Sequence, residues 1–166
     1  MKTKDTRIDN PNNFYNPTLG IELDIYPYIE QRIIADRTLN VHVAIDSKRR
    51  DKKASYVVAI ILYSDERKKG AEVWYRRFTE KSPRDMFSRL WLEVELANDW
   101  ANRIYTNLKH IIPNMKDITV HLDLNPDPKC GSNSAYKAGY PWIKGMGFTT
   151  LAKPESWGCR AADYFA

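Results

Sequence analysis

The sequence predicts a mixed α/β fold, a five-stranded sheet whose first three strands are antiparallel and whose remaining strands alternate with helices on both faces. Three observations carry that expectation. Runs rich in β-branched and aromatic residues, VHVAID at 41–46, SYVVAIILY at 55–63 and AEVWYRRF at 71–78, follow one another across short polar connectors. A long stretch ending near Leu108 then carries apolar residues at three- and four-residue spacing. Two more strand-like runs, ITVHLDL at 118–124 and FTTLAK at 148–153, alternate with helical segments.

In chain order, the first twenty residues, with NPNN and NPTLG, are rich in turn formers and suggest an irregular arm. From about Asp24 to Arg37 a short amphipathic helix is expected, with Pro27 near its first turn. Residues 1–40 are thus set apart from a main domain over 41–166. Short connectors suit hairpins, which makes the three strands antiparallel. Ser82 is the expected N-cap of the long helix and Pro83 its first residue. Met86, Leu90, Val94, Ala97, Ala101, Ile104 and Leu108 form its apolar stripe. Ser132-Asn133-Ser134 opens a helix to about Lys144, and Cys159–Phe165 forms the last one.

Composition narrows the class. At 166 residues with 43% hydrophobic content, the chain is expected to bury one core, which excludes a disordered or fibrous protein. No apolar run approaches the roughly 20 residues of a membrane span, and MKTKDTRIDN lacks the apolar segment of a signal peptide. Cys130 and Cys159 belong to no paired ligand motif, so free thiols in a cytoplasmic setting are expected and a zinc site is not. The net charge of +5 permits a polyanionic partner. KRRDKK at 48–53 follows an apolar strand directly and suggests contact with a nucleic-acid backbone, whereas RKK at 67–69 suits a solvated hairpin tip.

Four acids stand out. Asp46 and Asp123 each close a strand-like run, Glu93 lies in the long helix, and Asp163 lies in the terminal one. Strand alternation puts His42, Ala44 and Asp46 on one face, and His121 and Asp123 likewise share a face. Glu93 falls about 60° from Leu90 around the helix, beside the sheet-facing stripe, and Glu95 about 140°, towards solvent. Each acid alone has an ordinary role: Asp46 as a turn cap, Glu93 as a partner for Arg89, Asp163 as a surface charge. Together they suit hard divalent cations, which favour oxygen ligands and offset the desolvation of buried carboxylates. Two Mg2+ or Mn2+ ions about 4 Å apart would serve an in-line phosphodiester displacement. No nucleophilic triad is evident, and His121 suits core packing better than proton transfer.

The segments AIDSK (44–48), RLWLEVELA (89–97), HLDLN (121–125), GMGF (145–148), KPESW (153–157) and AAD (161–163) resemble the YkuK-type family of ribonuclease-H-like nucleases. The resemblance spans roughly residues 40–166. It implies a ribonuclease-H-like fold, a two-metal site built from Asp46, Glu93, Asp123 and Asp163, and a nucleic-acid substrate: RNA, RNA–DNA hybrid or structured DNA. Ser47, Lys48, Arg49, Arg50, Asn125 and Lys153 are the candidate substrate contacts. Lys153 suits a scissile phosphate or a salt bridge equally, Asn125 a metal-bound water or a turn with Pro126, and Trp157 packing rather than base stacking. The alternatives are a ribonuclease-H-like module that binds nucleic acid without turnover, and an interaction subunit using the arm and Tyr26-Pro27-Tyr28.

Overall fold

The computed structural model describes residues 10–166. Chain order runs β1 (Asn13–Asn16), β2 (Ile21–Asp24), α1 (Ile25–Ala35), β3 (Asn40–Arg50), β4 (Lys53–Tyr63) and β5 (Glu72–Lys81). Then come α2 (Met86–Leu108), a single 3-10 turn (Met115–Asp117), β6 (Ile118–His121), α3 (Asn133–Met146), β7 (Thr149–Leu151) and α4 (Gly158–Phe165). One sheet collects the strands in the order β2-β1-β5-β4-β3-β6-β7.

The inner part of this sheet follows the sequence. β3, β4 and β5 pair antiparallel, and β6 and β7 add in parallel after helical crossovers. β4 sits between two neighbours and is buried on both faces, which is why its sequence is a near-continuous apolar run.

The N-terminal part differs. The expected arm supplies two strands, so the sheet has seven strands rather than five. β1 and β2 form a hairpin that extends the β5 edge through the pair Tyr15↔Tyr75. Strands of four residues without a β-branched run leave almost no periodic signal. What secures them is tertiary: Phe14 is fully buried and meets Trp100 edge-on at 5.0 Å. The Asn16 side chain closes the turn by accepting from the amides of Thr18 and Leu19, both at 2.9 Å. Residues 1–9 of the expected arm lie outside the described residues.

α1 matches its expected place, capped by Asp24, which accepts from the Tyr26 amide at 3.1 Å. Its Ile25, Ile29 and Ile33 enter the same apolar cluster as α2, so this segment packs into the main core rather than standing apart. Tyr26 stacks on Trp100 and Tyr28 leans on Trp74, so both tyrosines of the Tyr-Pro-Tyr stretch are engaged within the chain.

Two boundaries move for local reasons. α2 is capped by Asp85, which accepts from the Ser88 amide at 2.8 Å. Ser82 instead donates its amide to the Lys52 carbonyl, continuing the β5 pairing, and the helix starts three residues later than expected, at Met86. Met86 itself is 46% exposed and leaves the apolar stripe. β6 ends formally at His121, yet the Leu122 amide reaches Leu151 and the Lys153 amide reaches Leu124, so extended pairing runs on through the expected 118–124.

The sheet faces separate cleanly by alternation. Val41, Val43, Ile45, Val58, Ile60 and Leu62 meet α1, α2 and α3. Ala44, Val57, Ala59, Ile61 and Tyr75 meet Cys159, Ala162 and Phe165 of α4.

Candidate active site

The parallel register between β3 and β6 builds the site. Val41↔Ile118 through Ala44↔His121 are paired, and continuing that register two residues further sets Asp46 beside Asp123 on the α4 face. Asp46 lies inside β3, four residues before the strand ends at Arg50, so it caps no turn. α4 then brings Asp163 across from the opposite wall. Asp46, Asp123 and Asp163 line one open cleft of about 910 Å³ together with Lys153, Trp157 and Arg160.

Electrostatically this cleft is costly. Asp46 is 8% exposed; burial first, then the Asp123 charge and a hydrogen bond with Asp163, push its carboxyl up to about 7. Two lysines offset part of the excess negative charge. Lys153 Nζ lies 2.8 Å from Asp123 Oδ1, and Lys48 Nζ lies 3.2 Å from Asp163 Oδ1. Lys153 therefore occupies the salt-bridge role that its sequence context left open. Among the described residues, no three His, Cys, Asp or Glu side chains converge as a ready metal-binding group.

Glu93 comes from the other side of the strand. It sits on α2, is 5% exposed, and accepts a hydrogen bond from the Ser47 hydroxyl. Burial, with the charges of Asp46 and Asp123 adding to it, pushes Glu93 up to about 8, against the lowering effect of Ser47. Glu93 is thus close enough to feel the aspartates but does not line their cleft. Glu95 is exposed and accepts from Trp91 Nε1 at 3.1 Å. Arg89 turns to the Ser47 carbonyl at 3.5 Å.

The other predicted contacts divide. Ser47 lines the cleft but is buried, with its hydroxyl committed to Glu93. Asn125 lines it too, and its Oδ1 accepts from the Asp127 amide at 2.9 Å, which closes the turn through Pro126. Ser132 stands at the N-cap of α3 without capping it; its hydroxyl accepts from the Asn125 amide at 2.9 Å. Arg49 and Arg50 are exposed towards the β3–β4 hairpin tip, beyond the cleft lining, where Arg49 Nε donates to the Asp51 carbonyl at 3.1 Å.

Arg160, which lines the cleft from α4, was not singled out in the sequence. His42 and His121, on the same sheet face as Asp46 and Asp123, lie 2.9 Å apart, and burial depresses them to about 4 and about 3 respectively, so both are neutral at pH 7. Arg160 lies one helical turn before Asp163 on α4, and Cys159 is a buried thiol that burial raises far above its ordinary range. The i, i+3 spacing of Arg160 and Asp163 was a signal available for Arg160.

A mixed sheet with three antiparallel strands, a long crossover helix and aspartates gathered on adjacent strands beside a C-terminal helix defines the ribonuclease-H-like class. The chain belongs to the ribonuclease H-like family, whose model matches residues 23–166. No curated protein and no solved structure matches the chain significantly. Among the described residues, no helix is long and apolar enough to cross a membrane.

Proposed function

We propose that this chain is a divalent-metal-dependent nuclease that hydrolyses phosphodiester bonds in RNA, RNA–DNA hybrid or structured DNA. The observation that carries this reading is the meeting of Asp46, Asp123 and Asp163, from three separate elements, in one cleft with Glu93 behind it. Asp46, Asp123 and Asp163 offer an all-oxygen donor set, the chemistry that Mg2+ and Mn2+ prefer, and burial together with the Asp123 charge makes a positive partner favourable for Asp46. When bound, a pair of such ions supplies an activated water and stabilises the leaving oxygen of an in-line displacement.

The protein groups have distinct tasks. Asp46, Asp123 and Asp163 would hold the ions from the cleft, and Glu93 would add a carboxylate from the α2 side. Ser47 fixes the Glu93 rotamer through its hydroxyl. Lys153 and Lys48, which pair with Asp123 and Asp163, stand at the cleft where they would meet a substrate phosphate. Asn125 holds the loop beside the phosphate path, and Arg49 and Arg50 extend a positive track along the hairpin. Basic side chains beside an acidic centre suit a polyanionic substrate, and the free thiols suit a cytoplasmic setting.

The test is cleavage of labelled single-stranded RNA, RNA–DNA hybrid, duplex DNA and branched DNA with Mg2+, Mn2+ or chelator, alongside Asp123→Asn. Metal-dependent cutting that disappears in the variant supports the nuclease. A second reading, a module that binds nucleic acid without turnover, is favoured by the two lysine–aspartate pairs, which already give those carboxylates positive partners. Salt-sensitive binding with no cutting on any substrate would select it.

A further inference from the structure

His42 and His121 are 3% and 0% exposed, and they lie on the sheet face that α4 covers. Their hydrogen bonds run in one direction only. The Gly158 amide can only donate, and it donates to His121 Nδ1 at 3.3 Å. Nδ1 therefore carries a lone pair, the ring hydrogen sits on Nε2, and Nε2–H donates to His42 Nδ1 at 2.9 Å. The His42 hydrogen is then on Nε2, which is buried and has no partner among the described residues. A buried donor without an acceptor is a cost that apolar packing would avoid, so a role for the pair beyond filling space is called for.

That role is visible at the start of α4. A Cβ on Gly158 would lie 2.9 Å from His121 Cγ, an atom of a ring locked in the core. Only glycine lets the first turn of the helix come down onto the imidazole. Trp157, the preceding residue, covers both rings at 4.8 Å. At its other end α4 is held by Phe165, stacked on Tyr75 at 4.2 Å and 9°. Asp163 lies between these two anchors and is 62% exposed, so its position depends on how the helix is seated.

We propose that His121, oriented by His42, is a positioning residue: it seats the first turn of α4 on the sheet and thereby holds Asp163 against Asp46. The part concerning Asp163 rests on the metal site proposed above, whereas the seating itself does not. The same geometry explains why Trp157 and Gly158 adjoin: one covers the imidazole pair while the other supplies its donor.

Amide side chains separate the two hydrogen bonds of His121. Asparagine offers an oxygen where Nδ1 stands and keeps the Gly158 bond. Glutamine offers an N–H where Nε2 stands and keeps only the bond to His42. The experiment measures hydrogen exchange over residues 159–165 and Mn2+ affinity by calorimetry in the full chain. The variants are His121→Asn, His121→Gln and Gly158→Ala, the last leaving both histidines in place. The expected result is exchange faster by about tenfold and Mn2+ binding weaker by about tenfold in His121→Gln and Gly158→Ala, with His121→Asn within about threefold of wild type. Wild-type exchange rates over α4 in both His121→Gln and Gly158→Ala overturn the proposal, as does a loosened α4 with unchanged Mn2+ affinity. Should wild type bind no Mn2+ while those two variants loosen α4, the seating stands and the metal assignment falls.

Discussion

Opposite faces of one sheet are built for different purposes here. Helices α1, α2 and α3 cover the first face with a continuous apolar cluster that includes the fully buried Ile29, Ile60 and Ile104. The second face is covered by eight-residue α4 and by Trp157, and the smaller cluster beneath them borders His42, His121, Asp46 and Asp123. Burying apolar area is the main stabilising contribution in folding, and the first face supplies most of it. The second face concentrates groups that oppose stability: a buried nitrogen with no partner among the described residues, and the Asp46 carboxyl held above its ordinary range. A thick core on one side makes a strained, open site on the other tolerable.

The sharpest way to test that division is to remove a charge from the thin face. Asp123→Asn is expected to lower metal-dependent cleavage by about a hundredfold or more. Its metal-free melting temperature should stay level or rise, because one repulsive partner of Asp46 is gone. A cleavage rate within about threefold of wild type would remove Asp123 from the site.

Truncating the thick face should do the reverse. Ile60→Ala, at a fully buried position of the large cluster, is expected to cost about 2–5 kcal/mol. At roughly 2–4 °C per kcal/mol for a chain of this size, the loss is readable in a thermal melt. Mn2+ affinity of the remaining folded protein should be unchanged. A selective loss of Mn2+ affinity without destabilisation would break the comparison.

Proton linkage sharpens it further, since the two buried sets on and near the thin face act in opposite directions. Asp46 and Glu93, raised mainly by burial to about 7 and about 8, hold protons in the folded state that the unfolded chain releases from its ordinary values of 3.8 and 4.5 upward. Stability therefore falls as pH rises through that window. His42 and His121, depressed mainly by burial from 6.5 to about 4 and about 3, refuse protons that the unfolded chain takes up, so stability falls as pH drops below 6.5. The two nearly offset between 4.5 and 6.5, and above 6.5 only the carboxylates act. Metal-free melting temperature is expected to be level in that range and to decline towards pH 8, with Mn2+ flattening the decline. Melting temperatures that keep rising between pH 6.5 and 8 without metal would show that the carboxylates are not strained.

The smallest effect concerns the hairpin. Arg49→Ala with Arg50→Ala should change stability by no more than about 0.5 kcal/mol, both side chains being exposed. If both meet phosphates, the slope of log affinity against log salt should fall by about 2, and an unchanged slope would take them out of the nucleic-acid path.

How much of this was legible beforehand depends on which physical signal each feature leaves. The three antiparallel strands and α2 announce themselves through periodicity over many residues, and so does the solvent-side placement of Glu95 against Glu93. β1 and β2 were illegible because four-residue strands carry no period and depend on Phe14 meeting Trp100. The cap of α2 shifted from Ser82 to Asp85 because pairing with Lys52 claimed the Ser82 amide, a contact across 30 residues that local propensity cannot register. His42 looked like any alternating strand residue until His121 came within 2.9 Å of it.

Local sequence sets the periodicities, and with them the strand faces that carry Asp46 and Asp123, the helix edge that carries Glu93, and the basic run after Ser47. Those are consequences of fixed geometry along one segment, about 3.6 residues per helical turn and two per strand repeat. Tertiary structure decided what stands next to what. The β3–β6 register set Asp46 beside Asp123, the seating of α4 brought Asp163 to them, and Lys153 and Lys48 turned to the acids rather than to solvent. Register and docking arise from packing between segments far apart in the chain, where many weak contacts are chosen together and no single stretch carries the choice.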